Sequence, residues 1–259
     1  MTDILTVHEF PPILEMQPSP FGLKLETWLR MIDQPYDVKW SFTKMGPKRK
    51  VPFVVLDGQE IGDSELIIQQ LCARSGRDPD SHLTQAMRKK SVFLRRLVEE
   101  HLYFIIVYSR WQDGSVWPDF SQRVFATVPA LLRPLIKSRA RKAVMGMLYA
   151  QGISRHSPDE IYAKALTDFE CLSVELGSRS FLLGETPTVA DASVYGHLAN
   201  VLYQPLETQL GRDLRRFQNL CDYCDRLKAL YWSEATYGGG EGSQFHPEKW
   251  AAISARQSA

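Results

Sequence analysis

Ser19 stands at the start of a predicted helix, in the segment Ser19-Pro20-Phe21-Gly22. Proline suits the first helical position and serine suits the N-cap before it, so one interpretation is a plain helix cap. The same arrangement also supports chemistry. A hydroxyl beside free backbone N–H groups at a positive helix end stabilises an anion such as a thiolate.

A second candidate is Val51-Pro52, which follows Lys50 and opens a predicted strand. Proline removes a donor from the strand ladder, so its position needs a reason. A cis Val51–Pro52 bond provides one, because it would turn the backbone amide and carbonyl of Val51 toward a peptide ligand. An edge-strand proline in trans is the alternative.

A third candidate is Asp63-Ser64, which opens the helix after a predicted hairpin. Ser64 and the adjacent amides are suited to holding a carboxylate at a helix N-terminus, although an ordinary N-cap has the same pattern. Thr188 and Asp191 form a pattern typical of a capping box, and we assign that pair to folding alone.

The histidines lack metal-ligand spacing, so no metal site is predicted. Four cysteines are few and spread out, which favours a reducing compartment, and the cytoplasm is expected. Cys221 and Cys224 lie in a helical pattern, where packing is the favoured role.

With 31 basic and 30 acidic residues, the whole surface has no field that would attract nucleic acid. No apolar run is long enough to span a membrane, and the N-terminus lacks the pattern of a secretory signal.

The elements that position these residues are read from hydrophobic periodicity. The first part of the chain predicts the order β-α-β followed by β-β-α within about 75 residues, which is typical of a thioredoxin-like domain. The predicted strands and helices span residues 4–10, 21–32, 36–40, 51–56, 59–61 and 65–73, with a turn at Asp57-Gly58.

Helical periodicity dominates the rest of the chain, so the predicted class is α+β with an all-helical C-terminal domain. The predicted helices span residues 83–110, 120–149, 158–177, 188–203 and 213–230. We therefore expect a thioredoxin-like domain, a linker, a helical domain and a polar C-terminal tail, at residues 1–75, 76–82, 83–236 and 237–259.

Taken in this order, these features resemble the cytosolic glutathione transferase superfamily. The segments Pro18-Ser19-Pro20-Phe21, Asp63-Ser64 and Glu99-Glu100-His101-Leu102-Tyr103 resemble more narrowly its failed-axon-connections branch, which is close to the metaxins. The resemblance implies a glutathione-transferase fold, a glutathione-binding N-terminal domain and a homodimer.

The resemblance also implies a role for each candidate residue. Ser19 would contact the glutathione sulfur as the catalytic residue, and Val51, before a cis Pro52, would pair its backbone with the cysteinyl unit. Asp63 and Ser64 would hold the γ-glutamyl group. The glycyl carboxylate would meet Lys50, with Lys44 as the second candidate. Because Ser19 and Gly22 stand where thioredoxins have Cys-x-x-Cys, dithiol exchange is not expected.

The co-substrate pocket is expected on the helical domain, in an aromatic stretch where core packing is the alternative. Tyr103, Tyr108 and Trp111 are the pocket candidates, and Arg110 would steer an acidic substrate. The basic segment 133–141 is expected to be a solvated helix face, with a partner or anionic-lipid contact as the alternative.

The expected function is a glutathione-dependent enzyme in which a lowered thiol pKa generates a thiolate. That thiolate would attack a hydrophobic electrophile in conjugation, thiolytic ether cleavage, dehalogenation or isomerisation. One alternative is a non-catalytic binding or assembly module like the metaxins. Another is a protein that holds hydrophobic metabolites.

Overall fold

A computed structural model describes residues 4–232 and 244–245. Its sheet has the strand order β4-β3-β1-β2-β5, in which β1 and β2 are parallel and the other neighbours are antiparallel. The strands are β1 (Leu5–Glu9), β2 (Tyr36–Trp40), β3 (Phe53–Leu56), β4 (Gln59–Gly62) and β5 (Gln244–Phe245).

The short strand β5 lies within residues 237–259, which were predicted as a polar C-terminal tail. Gln244 and Phe245 pair with Asp37 and Tyr36 at the edge of the sheet. The rest of that predicted tail lies outside the described residues.

Two helices complete the N-terminal part, α1 (Pro20–Met31) and α2 (Ser64–Ser75). Their apolar faces and the sheet form one core that includes Val7, Trp28, Val54 and Ile67. The observed order matches the predicted thioredoxin-like order, and the α+β class is confirmed.

Local chemistry sets the hairpin between β3 and β4. Asp57 and Gly58 both have positive φ, 51° and 77°, as the tightest two-residue hairpin turn requires. At the start of the same hairpin, the Val51–Pro52 peptide bond is cis, as predicted.

The remainder is helical, and one long helical stretch opens it, formed by α3 (Gln85–Arg96), a π-helical turn (Leu97–Leu102) and α4 (Tyr103–Trp111). The later elements are α5 (Trp117–Val124), α6 (Arg133–Gln151), a 3₁₀ turn (Ile153–Arg155), α7 (Pro158–Leu176), α8 (Val189–Leu202), α9 (Gln209–Leu214) and α10 (Gln218–Trp232).

Two predicted helices were wrong in extent. The helix predicted over 120–149 is divided into α5 and α6. Pro129 lies in the break, where proline disfavours a helical residue before it, and Pro134 lies in the first turn of α6, where proline is tolerated. The helix predicted over 213–230 is divided into α9 and α10. Within residues 4–232, no helix has the length and apolar character needed to cross a membrane.

Helix α8 joins the two parts of the molecule. Asp191, in its first turn, is fully buried and accepts hydrogen bonds from the backbone N–H groups of Leu182 and Thr188 and from the Thr188 and Tyr223 hydroxyls. Gly196 lies against α1, and a Cβ there would be 2.5 Å from the Pro20 carbonyl oxygen. The first helix is therefore packed directly on the helical domain.

Candidate active site

Strand register brings the three predicted segments to one end of the sheet. His8, near the end of β1, pairs with Phe53, and Phe53 pairs with Gly62 at the end of β4. The loop to α1 leaves β1 here, Val51–Pro52 enters β3 here, and Asp63–Ser64 leaves β4 here. The N-termini of α1 and α2, both positive helix ends, consequently lie at the carboxyl end of β1.

Ser19 is the N-cap of α1, with extended backbone dihedral angles. Its Oγ accepts a hydrogen bond from the Gly22 backbone N–H at 3.3 Å. Because a hydroxyl has one donor and two acceptor sites, capping leaves the Ser19 O–H free to donate elsewhere. The capping role is confirmed, and contact with a sulfur stays a prediction.

Buried polar side chains form hydrogen bonds that support the loop before Ser19, and the sequence analysis did not identify them. Gln17 accepts a hydrogen bond from the Ser19 backbone N–H at 3.1 Å and donates one to the Glu9 carboxylate. Glu9 and Gln17 are each 1% exposed. Burial, reinforced by the neighbouring Glu26, raises the pKa of Glu9 well above its usual range.

The position of Arg110 corrects its predicted role in the substrate pocket. The side chain is 5% exposed, and its guanidinium donates to the Pro18 carbonyl at 2.8 Å, the Asn200 side chain at 2.9 Å and the Gln204 side chain at 3.1 Å. Because its N–H groups donate to the loop before α1 and to α8, Arg110 holds Pro18, the residue before Ser19, in place. It does not face a ligand.

At the start of α2, Asp63 is the N-cap and has an unusual positive φ of 87°. Its Oδ1 accepts hydrogen bonds from the backbone N–H groups of Glu65 and Leu66 at 3.0 Å and 3.3 Å. Ser64, the first helical residue, is 5% exposed. An exposed carboxylate therefore lies beside a positive helix end, an arrangement that suits a ligand carrying both an ammonium and a carboxylate.

The two candidate lysines differ in how they are engaged. Lys44 lies 3.6 Å from the Glu60 carboxylate and 5.4 Å from the Phe53 ring centre. Lys50 is exposed, and within residues 4–232 it forms no ion pair. Lys50 is thus the better placed of the two to meet a ligand carboxylate.

One aromatic cluster lies beside the N-terminus of α1. Tyr103 contacts Phe21 and Phe104 edge-on, with ring centres 5.0 Å and 5.2 Å apart, and His197 lies 5.3 Å from Phe21. Burial lowers the pKa of His197 to about 4, so its ring is neutral near pH 7. Of the predicted pocket residues, Tyr103 is the one placed next to the helix that carries Ser19.

Tyr108 and Trp111 do not join that cluster, contrary to the prediction that they line the pocket. Tyr108 is 5% exposed and packs against Tyr162, while Trp111 contacts Trp117 and Phe120. Tyr108 is buried in the helical-domain core, and Trp111 is partly buried against the same core.

Other reactive groups give no alternative centre in the described part of the chain. No cluster of three or more His, Cys, Asp or Glu side chains among those residues is arranged to hold a metal ion. Cys221 and Cys224 are free thiols in α10, and burial raises the pKa of both. Such thiols are poor nucleophiles near neutral pH.

Comparison with known families gives two matches along the chain. A model of the glutathione S-transferase N-terminal domain matches residues 20–116, and a model of the glutathione S-transferase C-terminal domain matches residues 165–227.

Three curated relatives illustrate the range of similar proteins. The chain is 27% identical to an isoprene-epoxide–glutathione S-transferase of Rhodococcus sp. (strain AD45), over 88% of this chain and 99% of that protein. It is 28% identical to Failed axon connections of Drosophila melanogaster, over 87% of this chain and 57% of that protein. It is 30% identical to Metaxin-1 of Macaca fascicularis, over 82% and 69%.

Solved structures agree on the fold. A beta-etherase from Sphingobium sp. strain SYK-6 superposes with a TM-score of 0.60 at 18% identity, covering 88% of this chain and 96% of that one. A glutathione transferase from Phanerochaete chrysosporium gives a TM-score of 0.60 at 11% identity, covering 91% and 100%.

Proposed function

This chain belongs to the glutathione S-transferase family, and we propose that it binds glutathione at the carboxyl end of β1 and activates the thiol for attack on a hydrophobic electrophile. One observation carries the proposal. The Ser19 hydroxyl caps α1 through its oxygen and keeps its hydrogen available at a positive helix end.

The residues at this end of the sheet have complementary roles. Ser19 donates to the sulfur, and together with the α1 N-terminus it lowers the thiol pKa. The Val51 backbone, before cis Pro52, pairs with the cysteinyl unit. The γ-glutamyl end places its ammonium against Asp63 and its carboxylate against Ser64 and the α2 N-terminus. Lys50 meets the glycyl carboxylate.

A thiolate beside an apolar surface is suited to nucleophilic attack on a hydrophobic electrophile. The thiolate attacks an electrophilic carbon, a carbon–sulfur bond forms, and the bond to the leaving atom breaks. With an epoxide the leaving atom is the ring oxygen, which takes a proton from water. Phe21 and Tyr103 supply the aromatic surface for the electrophile. The similarity to an isoprene-epoxide–glutathione S-transferase supports a small apolar epoxide as the first substrate to test.

The test is a titration of glutathione into the protein, with the ultraviolet absorbance of the thiolate recorded against pH. Ser19→Ala should leave affinity within about threefold but raise the pKa of the bound thiol by about one unit, since one charge-assisted hydrogen bond is lost. Ser64→Ala should weaken binding about tenfold for the corresponding loss at the carboxylate. Ser81→Ala, exposed in the linker, is the matched control.

A non-catalytic binding or assembly module is the second candidate, and the identities to Metaxin-1 and Failed axon connections favour it. Under that alternative the thiol pKa of glutathione does not change on addition of the protein. Thermal unfolding separates the cases cheaply, because a ligand at a hundredfold over its Kd adds about 2.7 kcal/mol of stability. An unchanged melting temperature at about 10 mM glutathione would exclude the enzymatic proposal.

A further inference from the structure

The segment between the two matched regions differs in charge from the rest of the chain. Residues 120–158 contain seven Lys or Arg residues and no Asp or Glu, whereas the whole chain has a net charge of +1. The glutathione S-transferase models match 20–116 and 165–227, so this segment falls between them. The excess of positive charge is concentrated on α6, which carries five of the seven basic residues, because α5 contains Asp119 beside Arg123.

Helix α6 is also unusually exposed for its length. Of its nineteen residues, only Leu148 is buried. A surface helix ordinarily gains its stability by burying an apolar face on its own domain. Here large aliphatic side chains at and just before the helix start face outward instead, with Leu131 91%, Leu132 50% and Leu135 61% exposed.

Cations and aliphatic groups share the outward face. Leu135, Arg139 and Lys142 follow the spacing i, i+4, i+7, which places them on one side of α6. Together with Ala143 and Gly146 they line a shallow depression of about 630 Å³. The described wall of that depression contains no carboxylate to neutralise the two cations.

A second, larger cavity of about 840 Å³ lies between α6 and α5. Lys137 and Arg141 lie 5.2 Å and 4.6 Å from the Trp117 ring centre on this side, and Arg141 also donates to the Trp111 carbonyl at 2.9 Å. Lys142 contributes to this cavity as well as to the shallow depression. The cationic side chains of α6 thus lie on two sides of the helix.

We propose that α6 and the leucines before it dock on the surface of an anionic phospholipid membrane. The aliphatic side chains Leu131, Leu132 and Leu135 enter the boundary between headgroups and acyl chains, while Arg139 and Lys142 pair with lipid phosphates. The contact is peripheral and additional to the glutathione site, which lies on the other domain.

Other occupants fit the same surface less well. A second copy of the chain, related by a two-fold axis, would bring two segments of like charge together, which costs free energy. A nucleic acid would neutralise the cations but leave the three exposed leucines in water. A bilayer satisfies the charge and the aliphatic groups together.

The experiment is co-sedimentation of the full chain with vesicles of phosphatidylcholine alone and of phosphatidylcholine with about 30% phosphatidylserine. Binding is expected with the anionic vesicles only, and it should fall as salt is raised from about 0.1 M to 0.5 M. The variant Leu135→Gln/Arg139→Gln should reduce the partition coefficient about tenfold, because one cation alone accounts for about fivefold.

The matched control is Val174→Gln/Lys89→Gln, which removes one exposed aliphatic side chain from α7 and one exposed cation from α3 and should bind like the parent chain. All four side chains are exposed, so both variants should keep the parent circular dichroism spectrum. Equal loss in the control, no binding to anionic vesicles, or a dimer that dissociates only in the α6 variant would each overturn the proposal.

Discussion

At the residue scale, the support of the site depends on an ion pair beneath it. Lys24 is fully buried in α1, and its Nζ lies 2.6 Å from Glu99 in the π-helical turn. The Ser193 hydroxyl donates to the same Glu99 oxygen at 2.7 Å. Burial alone would raise the pKa of Glu99, but Lys24 and Ser193 outweigh it and the pKa lies below its usual value. The Glu99 carboxyl group is therefore ionised near neutral pH.

Replacing one member of this ion pair should lower the free energy of unfolding more than replacing both members. Lys24→Met leaves the buried Glu99 carboxylate with Arg96, 4.0 Å away, as its remaining cation, and we expect a loss of about 3 kcal/mol in the free energy of unfolding. Lys24→Met/Glu99→Leu should recover at least half of that loss. Urea titrations measure both values, and additive losses in the double variant would show that the pair is not coupled.

The contribution of His101 to the stability of the protein should depend on pH, and the direction of that dependence follows from its pKa. Its Nδ1 lies 2.7 Å from Asp168, and this hydrogen bond raises the His101 pKa above its ordinary value, with burial opposing. Because the folded pKa exceeds the unfolded one, the stabilisation is complete below about pH 6.5 and is lost as pH rises through the folded pKa.

His101→Gln should therefore destabilise the protein more at about pH 5.5 than at about pH 8.5, by less than about 1 kcal/mol, since solvent screens a side chain that is 39% exposed. Melting temperatures at the two pH values test this. His156→Gln, where the ring lies 3.8 Å from Glu160 at an exposed surface, is the control. A larger loss at the higher pH would contradict the assigned sign.

The sequence could predict the parts of the site that depend on contacts between residues close together in the chain, but not those that depend on distant residues. Ser19 and Asp63 were recognisable because capping is a local pattern, and cis Pro52 because a strand-opening proline needs a reason. Arg110 was misassigned because its partners, Pro18 and Asn200, lie about ninety residues away in sequence. Nothing in local periodicity tells which face of a helix will meet a distant loop.

At the element scale, the approach of α8 to α1 sets the geometry of the N-terminal helix. A Cβ on Gly196 would lie 2.5 Å from the Pro20 carbonyl oxygen and 2.9 Å from the Lys24 backbone nitrogen. Both neighbours are main-chain atoms of α1 and cannot rotate away. The start of α1, where Ser19 caps, is thus fixed by contact with α8.

Gly196→Ala should push the helices apart, with a loss of about 3 kcal/mol in stability and weaker glutathione binding. The matched control is Gly146→Ala in α6, where a Cβ would meet nothing within 4 Å. That change should stabilise by up to about 1 kcal/mol through helix propensity. Chemical denaturation compares them, and equal effects would show that the close approach is unimportant.

Sequence periodicity located most helices at this scale but not their breaks. The stretch predicted over 83–110 is one helical run with a π turn inside it, which places Glu99 toward Lys24. The breaks before α6 and α10 were missed because apolar spacing persists across them. Pro129 and Pro134 are the local signal that should have marked the first break.

At the scale of the whole molecule, the two domains share their cores. Val189 and Ala192 of α8 are buried in the cluster formed by the sheet, α1 and α2. From the other end of the chain, the Trp232 indole donates to the Thr27 hydroxyl at 3.1 Å, and Arg30 stacks 3.9 Å from the Trp232 ring. The thioredoxin-like part therefore uses helical-domain residues as part of its own interior.

We expect from this arrangement that residues 1–83 alone do not fold. In that fragment, Lys24 lacks Glu99 and the surface of α1 that faces α8 is left in water, which removes much of the burial that stabilises a small domain. The full chain should unfold in one transition, with tryptophan fluorescence and far-ultraviolet circular dichroism giving coincident curves. A fragment with a cooperative thermal transition of its own, or two separated transitions in the full chain, would show that the domains are energetically independent. In that case the α1–α8 contact would position Ser19 without stabilising the domain that carries it.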